Sequence, residues 1–473
     1  MNRRHRIRAA VTVVGCGALL AACTPAAGTD GSSASGELSS SSSKASSAVV
    51  SSVSAAISSS AAPATAPATA LSITPVTVEG MLTGPGVDDA SISLGMIVDP
   101  AADRGFTAGV TLWRDIVNAD GGICGRAIQI TSGPTGSTTE EAYAELGRST
   151  LGLMLLEPGT TGGAVAARIR ADRIPTLTPE GTPDDLTGAA SPLVLGATDD
   201  ILAINAAAHL LSSGVIAQGG TLGVLLDDPA TADDIRAALN WWADRNDIHL
   251  RELHLGGPVP SDIRAIFADS APQRIADLLT ATSVAATGSA TTAPSSGDRG
   301  SASPAVDGTT GGTQAAVTAH GPIIATTLNG YLPALFPADA IGRLQVATVT
   351  PSPGADHPGV KAVDTAYTDN GHSDPGPRLL EGYATGETWA RLLEPMCAAR
   401  TLTRTAAAEQ LLSLAPASSD SLFGPTDPAV QLSSGLPASR VSAISAADPT
   451  AAGGLRPITL LESAPGVSDY RTG

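Results

Sequence analysis

The sequence predicts an α/β protein of two lobes, each a parallel sheet covered by helices. Strand-like and helix-like segments alternate in two successive series. The 473 residues exceed what one core usually fills, since cores stop growing near about 250 to 300 residues. Only 3% of the residues are aromatic, so Ala, Val, Leu and Ile must fill the interior, as in Ala/Gly-rich α/β proteins.

The first series opens with a predicted strand, Ile92–Val98. A predicted helix over Phe106–Asn118 follows, with Val110, Trp113, Ile116 and Val117 at helical spacing and Gly121-Gly122 as its stop. Then come strand Arg126–Thr131, helix Glu140–Thr150, strand Leu151–Leu156, helix Gly162–Ala171 and strand Ile174–Thr178. Such a βαβα rhythm feeds a parallel sheet with both faces covered. The second series reads as helix Ile201–Leu211, strand Thr221–Leu226, helix Ala232–Asp244 and strands Ile248–Leu255 and Ala276–Ala281. Residues 285–312 are mostly Ser, Thr, Gly and Ala, with two Pro and little apolar bulk, which predicts a disordered insertion. Order resumes with strands Pro322–Thr327 and Val346–Val349 and a helix over Leu379–Leu393.

Charge and cysteine usage remove several classes of function. With 27 basic against 45 acidic residues, a formal charge of −18, the chain lacks the basic face that nucleic acid requires. Its 4 cysteines form no CxxC pair or Cys/His cluster, so no metal site is expected. GxSxG, HExxH, GxxxxGK[ST] and GxGxxG are all absent, which leaves neither a catalytic motif nor a cofactor motif. The reading is a non-enzyme with no cofactor.

Met1–Arg8 carries four Arg and Ala9–Leu20 is almost wholly apolar, too short to span a bilayer and suited to a signal peptide over residues 1–22. Its end, Leu20-Ala21-Ala22-Cys23, resembles the bacterial lipobox, which implies that Cys23 is the lipidated first residue of the mature chain. Cleavage would leave 23 basic and 45 acidic residues, a charge of −22. Such a body is repelled by an anionic membrane surface, so attachment must come from lipid. From Gly31 to Ser60, 16 of 30 positions are Ser, so residues 23–89 are expected to form a disordered tether.

Asn118-Ala-Asp-Gly-Gly-Ile-Cys-Gly-Arg126, after an opening strand and helix, resembles a turn of the type I periplasmic solute-binding proteins of the branched-chain amino acid class. Gly159–Gly162, Ile174–Thr182, Thr198-Asp199, Leu226–Asp228, Pro358–Tyr367 and Glu381–Tyr383 match further segments of that family in the same order, across about residues 90–440. The resemblance implies two Rossmann-like lobes joined by crossover hinge segments. Lobe one would comprise residues 90–197 and 350–420, and lobe two residues 198–349 and 421–473. It also implies a small-molecule ligand, a membrane permease of an ABC transporter as partner, and a location on the extracytoplasmic face of the cell membrane.

Ligands of doubly wound sheets sit beyond the strands' carboxyl ends, where loop N–H groups meet anions. Thr160 and Thr161 precede a predicted helix there, and serve as carboxylate ligands or as a helix cap. By the resemblance, Thr182 contacts the ammonium and carboxylate of an amino acid, or is a turn residue before Pro183. Asp228 and Thr327 would close over the ligand from lobe two, and Thr327 stands where the family carries an acid. Glu180 adds a negative group beside the site. Export into an oxidising compartment, with Cys124 and Cys397 as the two thiols left after lipidation, predicts a disulfide between them, which the resemblance places in lobe one; two separately buried thiols are the alternative. The expected function is binding of a small polar or carboxylate-bearing, amino-acid-like solute for import. A sensor or envelope scaffold without transport is the second reading.

Overall fold

The computed structural model describes residues 80–99, 103–134, 138–156, 164–186, 192–229, 231–288 and 321–471. All of them lie in one unit of the chain, Ser41–Gly473. The expectations for the signal peptide, Cys23, the tether to residue 79, Thr160, Thr161 and most of the insertion fall outside the described residues.

After β1 (Leu82–Thr83), the chain forms β2 (Ser91–Ile97), α1 (Arg104–Ala119), β3 (Ala127–Ser132), α2 (Thr139–Ser149), β4 (Gly152–Leu155), α3 (Ala164–Asp172), β5 (Thr176–Thr178) and β6 (Leu193–Val194). The first sheet has the order β3-β2-β4-β5-β6 and is parallel throughout. Its central strands β2 and β4 are buried on both faces, which is why they read as continuous apolar runs. A capping box starts α2: the Thr138 hydroxyl accepts from the Glu141 N–H and the Glu141 carboxylate accepts from the Thr138 N–H.

The Asn118–Arg126 turn is a structural device. Gly122 has φ +75° and a Cβ there would overlap the Arg126 carbonyl, so glycine is required. Asn118 pairs with both backbone groups of Ile128 at 2.7 and 2.9 Å, and the buried Arg126 donates from Nε to the Asp88 carbonyl at 2.6 Å.

The second sheet is built from α4 (Asp199–Ser212), β7 (Thr221–Leu226), α5 (Ala232–Asn246), β8 (His249–Glu252), β9 (Ala265–Asp269), α6 (Pro272–Gly288), β10 (Ile323–Thr327) and β11 (Leu344–Thr348). The chain then returns to the first sheet with α7 (Pro358–Asp369), α8 (Leu379–Ala398), β12 (Thr401–Leu402), α9 (Arg404–Leu412) and α10 (Pro428–Ser434). It ends with β13 (Ala443–Ala447) and β14 (Leu455–Pro457) on the second sheet. That sheet has the order β14-β13-β11-β10-β9-β7-β8, parallel from β11 to β8, with β13 antiparallel to both its neighbours, β11 and β14. Three crossovers therefore join the sheets, after β6, after β11 and after α10. The first two touch where Gly196 meets Val349, with no room for a Cβ.

Helices α1 and α8 cover the first sheet with backbones in near contact. A Cβ at Gly109 would overlap the Leu379 carbonyl, one at Gly382 the Phe106 carbonyl, and one at Gly386 the Trp113 ring. Cys124 and Cys397 are disulfide-bonded beside this pair, with Cα atoms 5.5 Å apart.

Four expectations need correction. Residues 80–89, expected at the end of the disordered tether, are ordered, with Leu82 and Thr83 forming β1 against Thr401 and Leu402 of β12. Ala276–Ala281 is helical, inside α6, because Ile275, Leu278, Leu279 and Thr282 share one buried face; the strand there is β9, five buried residues earlier in the chain. Residues 285–288, expected in the insertion, continue α6. The segment through α10, expected in lobe two, packs on the first sheet: Gln431 donates to the Pro192 carbonyl at 2.9 Å and accepts from the Val194 N–H at 3.0 Å. Among the described residues no helix is long and apolar enough to cross a membrane.

Candidate ligand site

Each sheet reverses its strand order once, between β2 and β4 in the first and between β7 and β9 in the second. At such a point the loops leaving neighbouring strands run to opposite faces, and a crevice opens at the carboxyl ends. Here the two crevices share one cavity of about 860 Å³. Asp103, Arg104 and Leu156, which follow β2 and β4, line one side; Asp228 and Asp269, at the ends of β7 and β9, line the other with Thr231. Tyr331, Tyr367 and the Pro375-Gly376-Pro377 segment complete the wall. The volume suits a small molecule, for which pockets run from about 300 to 1,000 Å³.

Arg378, the N-cap of α8, is the centre of a buried charge cluster on the cavity wall. Its Nη1 donates to Glu381 at 2.8 Å and to Glu180 at 3.0 Å, its Nε lies 3.5 Å from Asp103, and its Nη2 donates to Asn329 at 2.7 Å. Asn329 follows β10, so this last bond ties the first sheet's helix to the second sheet. Burial works against the guanidinium's charge, but Glu180, Glu381 and Asp103 overcome it and raise its pKa. Three carboxylates on one guanidinium leave an excess of acid. Burial pushes Asp103 up to about 6 against the pull of Arg378, and raises Glu381 for the same reason. With its positive charge thus matched, Arg378 is not available to a ligand carboxylate.

The second sheet adds more acid. Asp269 is held at about 6 by burial, opposed by the hydroxyl that Thr231 donates to it. Asp199, first residue of α4, is raised well above the usual carboxylate range by burial and by Glu180 and Asp269.

Among the residues singled out from the sequence, Asp228 lines the cavity and Glu180 stands behind it, bonded to Arg378. Thr182 is buried and off the cavity wall; its N–H and hydroxyl both donate to Asp185, at 2.8 and 3.1 Å. Thr327 is also buried away from the wall. Sequence reasoning did not single out Arg378, Asp103, Asp269 or Asn329. A visible signal existed for the first: Arg378 and Glu381 stand at i and i+3 within an otherwise apolar helix start.

No family model and no curated protein matches the chain. Solved structures do. A fatty acid ABC transporter substrate-binding protein from Thermomonospora curvata superposes with a TM-score of 0.67 at 23% identity, over 83% of this chain and 98% of that one. A leucine binding protein from Thermotoga maritima gives 0.56 at 14% identity, over 78% and 99%. A putative branched-chain amino acid ABC transporter protein from Rhodospirillum rubrum gives 0.52 at 17% identity, over 78% and 99%. Two sheets with facing switch points, three crossovers and these neighbours identify the fold as that of the type I periplasmic binding proteins.

Proposed function

We propose that the protein is the extracytoplasmic solute-binding component of an ABC importer, anchored to the membrane by lipid on Cys23, that delivers a small polar solute to a permease. The observation that carries this reading is the shared cavity: both switch points open into one space between sheets joined by three crossover segments. Hinge closure around a ligand follows from contacts made only in the closed form. The solved neighbours, named as ABC transporter substrate-binding proteins, support it. On this reading lobe one comprises about residues 90–197 and 350–435, and lobe two the rest of the folded body, with Thr160, Thr161 and Asp228 proposed as ligand residues. A thermal-shift screen of the protein against amino acids, short-chain acids, amides, amines and sugars tests it, because a ligand in excess of its Kd raises stability by mass action. A specific hit that small-angle scattering shows to compact the protein supports import-type binding; no hit in any class argues against it. Membrane release on Cys23→Ser tests the anchor.

A further inference from the structure

Asp199 begins α4 at the crossover from the first sheet to the second, and it borders the cavity. Only 3% of the residue is exposed, and neither carboxylate oxygen has a hydrogen-bond partner among the described residues. The charged groups that face it are acids from every side: Glu180 after β5, Asp185 in the turn beyond, Asp200 on its own helix and Asp269 at the end of β9. Arg378, which lines the same cavity, is already held by Glu180, Glu381 and Asp103. A carboxylate this buried, with no donor or counter-ion among the described residues, favours holding a proton until it meets a cation.

We propose that the cleft takes an amine-bearing solute whose ammonium replaces the carboxyl proton of Asp199, so that each binding event releases a proton. The exchange balances: a neutral carboxyl and an ammonium become a carboxylate–ammonium pair, and the proton goes to solvent. The N-terminus of α4 favours the carboxylate that remains. Asp269, at the end of β9 on the same sheet and also on the cavity wall, supplies a second acceptor for the amine. This inference rests on the solute-binding reading and narrows its ligand to amines.

The test uses the full-length protein. Infrared spectra near pH 7 are expected to contain the carbonyl band of a protonated carboxyl that Asp199→Asn removes without unfolding the protein, since an amide replaces a neutral carboxyl of the same shape. Calorimetric titration with cadaverine in two buffers of different ionisation heat should show close to one proton released per amine bound. Affinity should then rise about tenfold per pH unit while Asp199 stays protonated, and fall at least about tenfold in Asp199→Asn. Pentanoate is the control. Pentanoate binding without cadaverine binding would overturn the amine assignment and leave solute binding standing, as would a failure of cadaverine alone. Cadaverine binding without proton release, or a spectrum unchanged by Asp199→Asn, would overturn the exchange.

Discussion

Replacing Arg378 with Met probes the charge cluster where its effect is largest. The substitution keeps most of the side chain's apolar volume and removes the only positive group in contact with Glu180, Glu381 and Asp103 among the described residues. Removing one partner of a buried ion pair typically costs about 3 to 5 kcal/mol, because the charges left behind have neither water nor a counter-ion. The loss must depend on pH. Glu381 and Asp103 already sit above the ordinary carboxylate range, and without the guanidinium they rise further. A carboxyl raised in the folded state contributes fully below its unfolded pKa of about 4, and that contribution vanishes as pH rises through the folded value. Urea unfolding followed by tryptophan fluorescence should therefore show a small loss near pH 4 and the full loss near pH 8. Adding Glu381→Gln to Arg378→Met should recover part of it, since one acid no longer has to be neutralised. A loss below about 1 kcal/mol, equal at both pH values, would refute the view that buried charge, rather than packing, dominates here.

Three further outcomes follow from named contacts. The Cys124–Cys397 bridge spans 273 residues; the chain-entropy model assigns such a loop about 5 to 6 kcal/mol, and Cys397→Ser should lower unfolding free energy by about 2 to 5 kcal/mol, as should reduction of the wild type. Gly109→Ala forces α1 away from the Leu379 carbonyl and should cost about 1 to 3 kcal/mol, measured by denaturant midpoint, whereas Gly121→Ala meets no neighbour and differs only through its positive φ. Asp269 has a carboxyl at about 6 against an ordinary 3.8, so its share of stability, up to about 3 kcal/mol, should be lost between about pH 4 and pH 6. Asp269→Asn should remove that part of the slope.

Much of the fold was legible because its strands are buried parallel ones, which appear as unbroken apolar runs between amphipathic helices. The strand predicted over Thr221–Leu226 matches β7, and Ala232–Asp244 falls within α5. Legibility failed where composition carries no period. The stretch Ala276–Ala281 is Ala/Leu-rich in either conformation, and only the company of Ile275 and Thr282 on one face identifies a helix. The antiparallel strands β13 and β14 were not anticipated, since short segments such as Ala443–Ala447 have small side chains and no alternation. The site was harder still. Asp103, Asp269, Asn329 and Arg378 lie far apart in sequence and meet only because two sheets present their carboxyl ends to each other. Resemblance pointed to Thr182, whose hydrogen bonds stay within its own turn.

The pairing of α1 with α8 bears on the order in which the protein can assemble. The strands of the first sheet are complete by Val194, yet the helix that seals α1 is Leu379–Ala398, beyond most of the second sheet. During synthesis or passage through a membrane, the amino-terminal half must wait with the glycine face of α1 uncovered while more than half of the remaining chain emerges. Contacts of such long sequence separation form late and slowly, and partly covered sheets are prone to associate wrongly meanwhile. The second sheet is similarly left open until β13 arrives after α10. The two halves are thus interleaved in time, and a chain truncated near residue 350 should yield neither lobe as a stable unit.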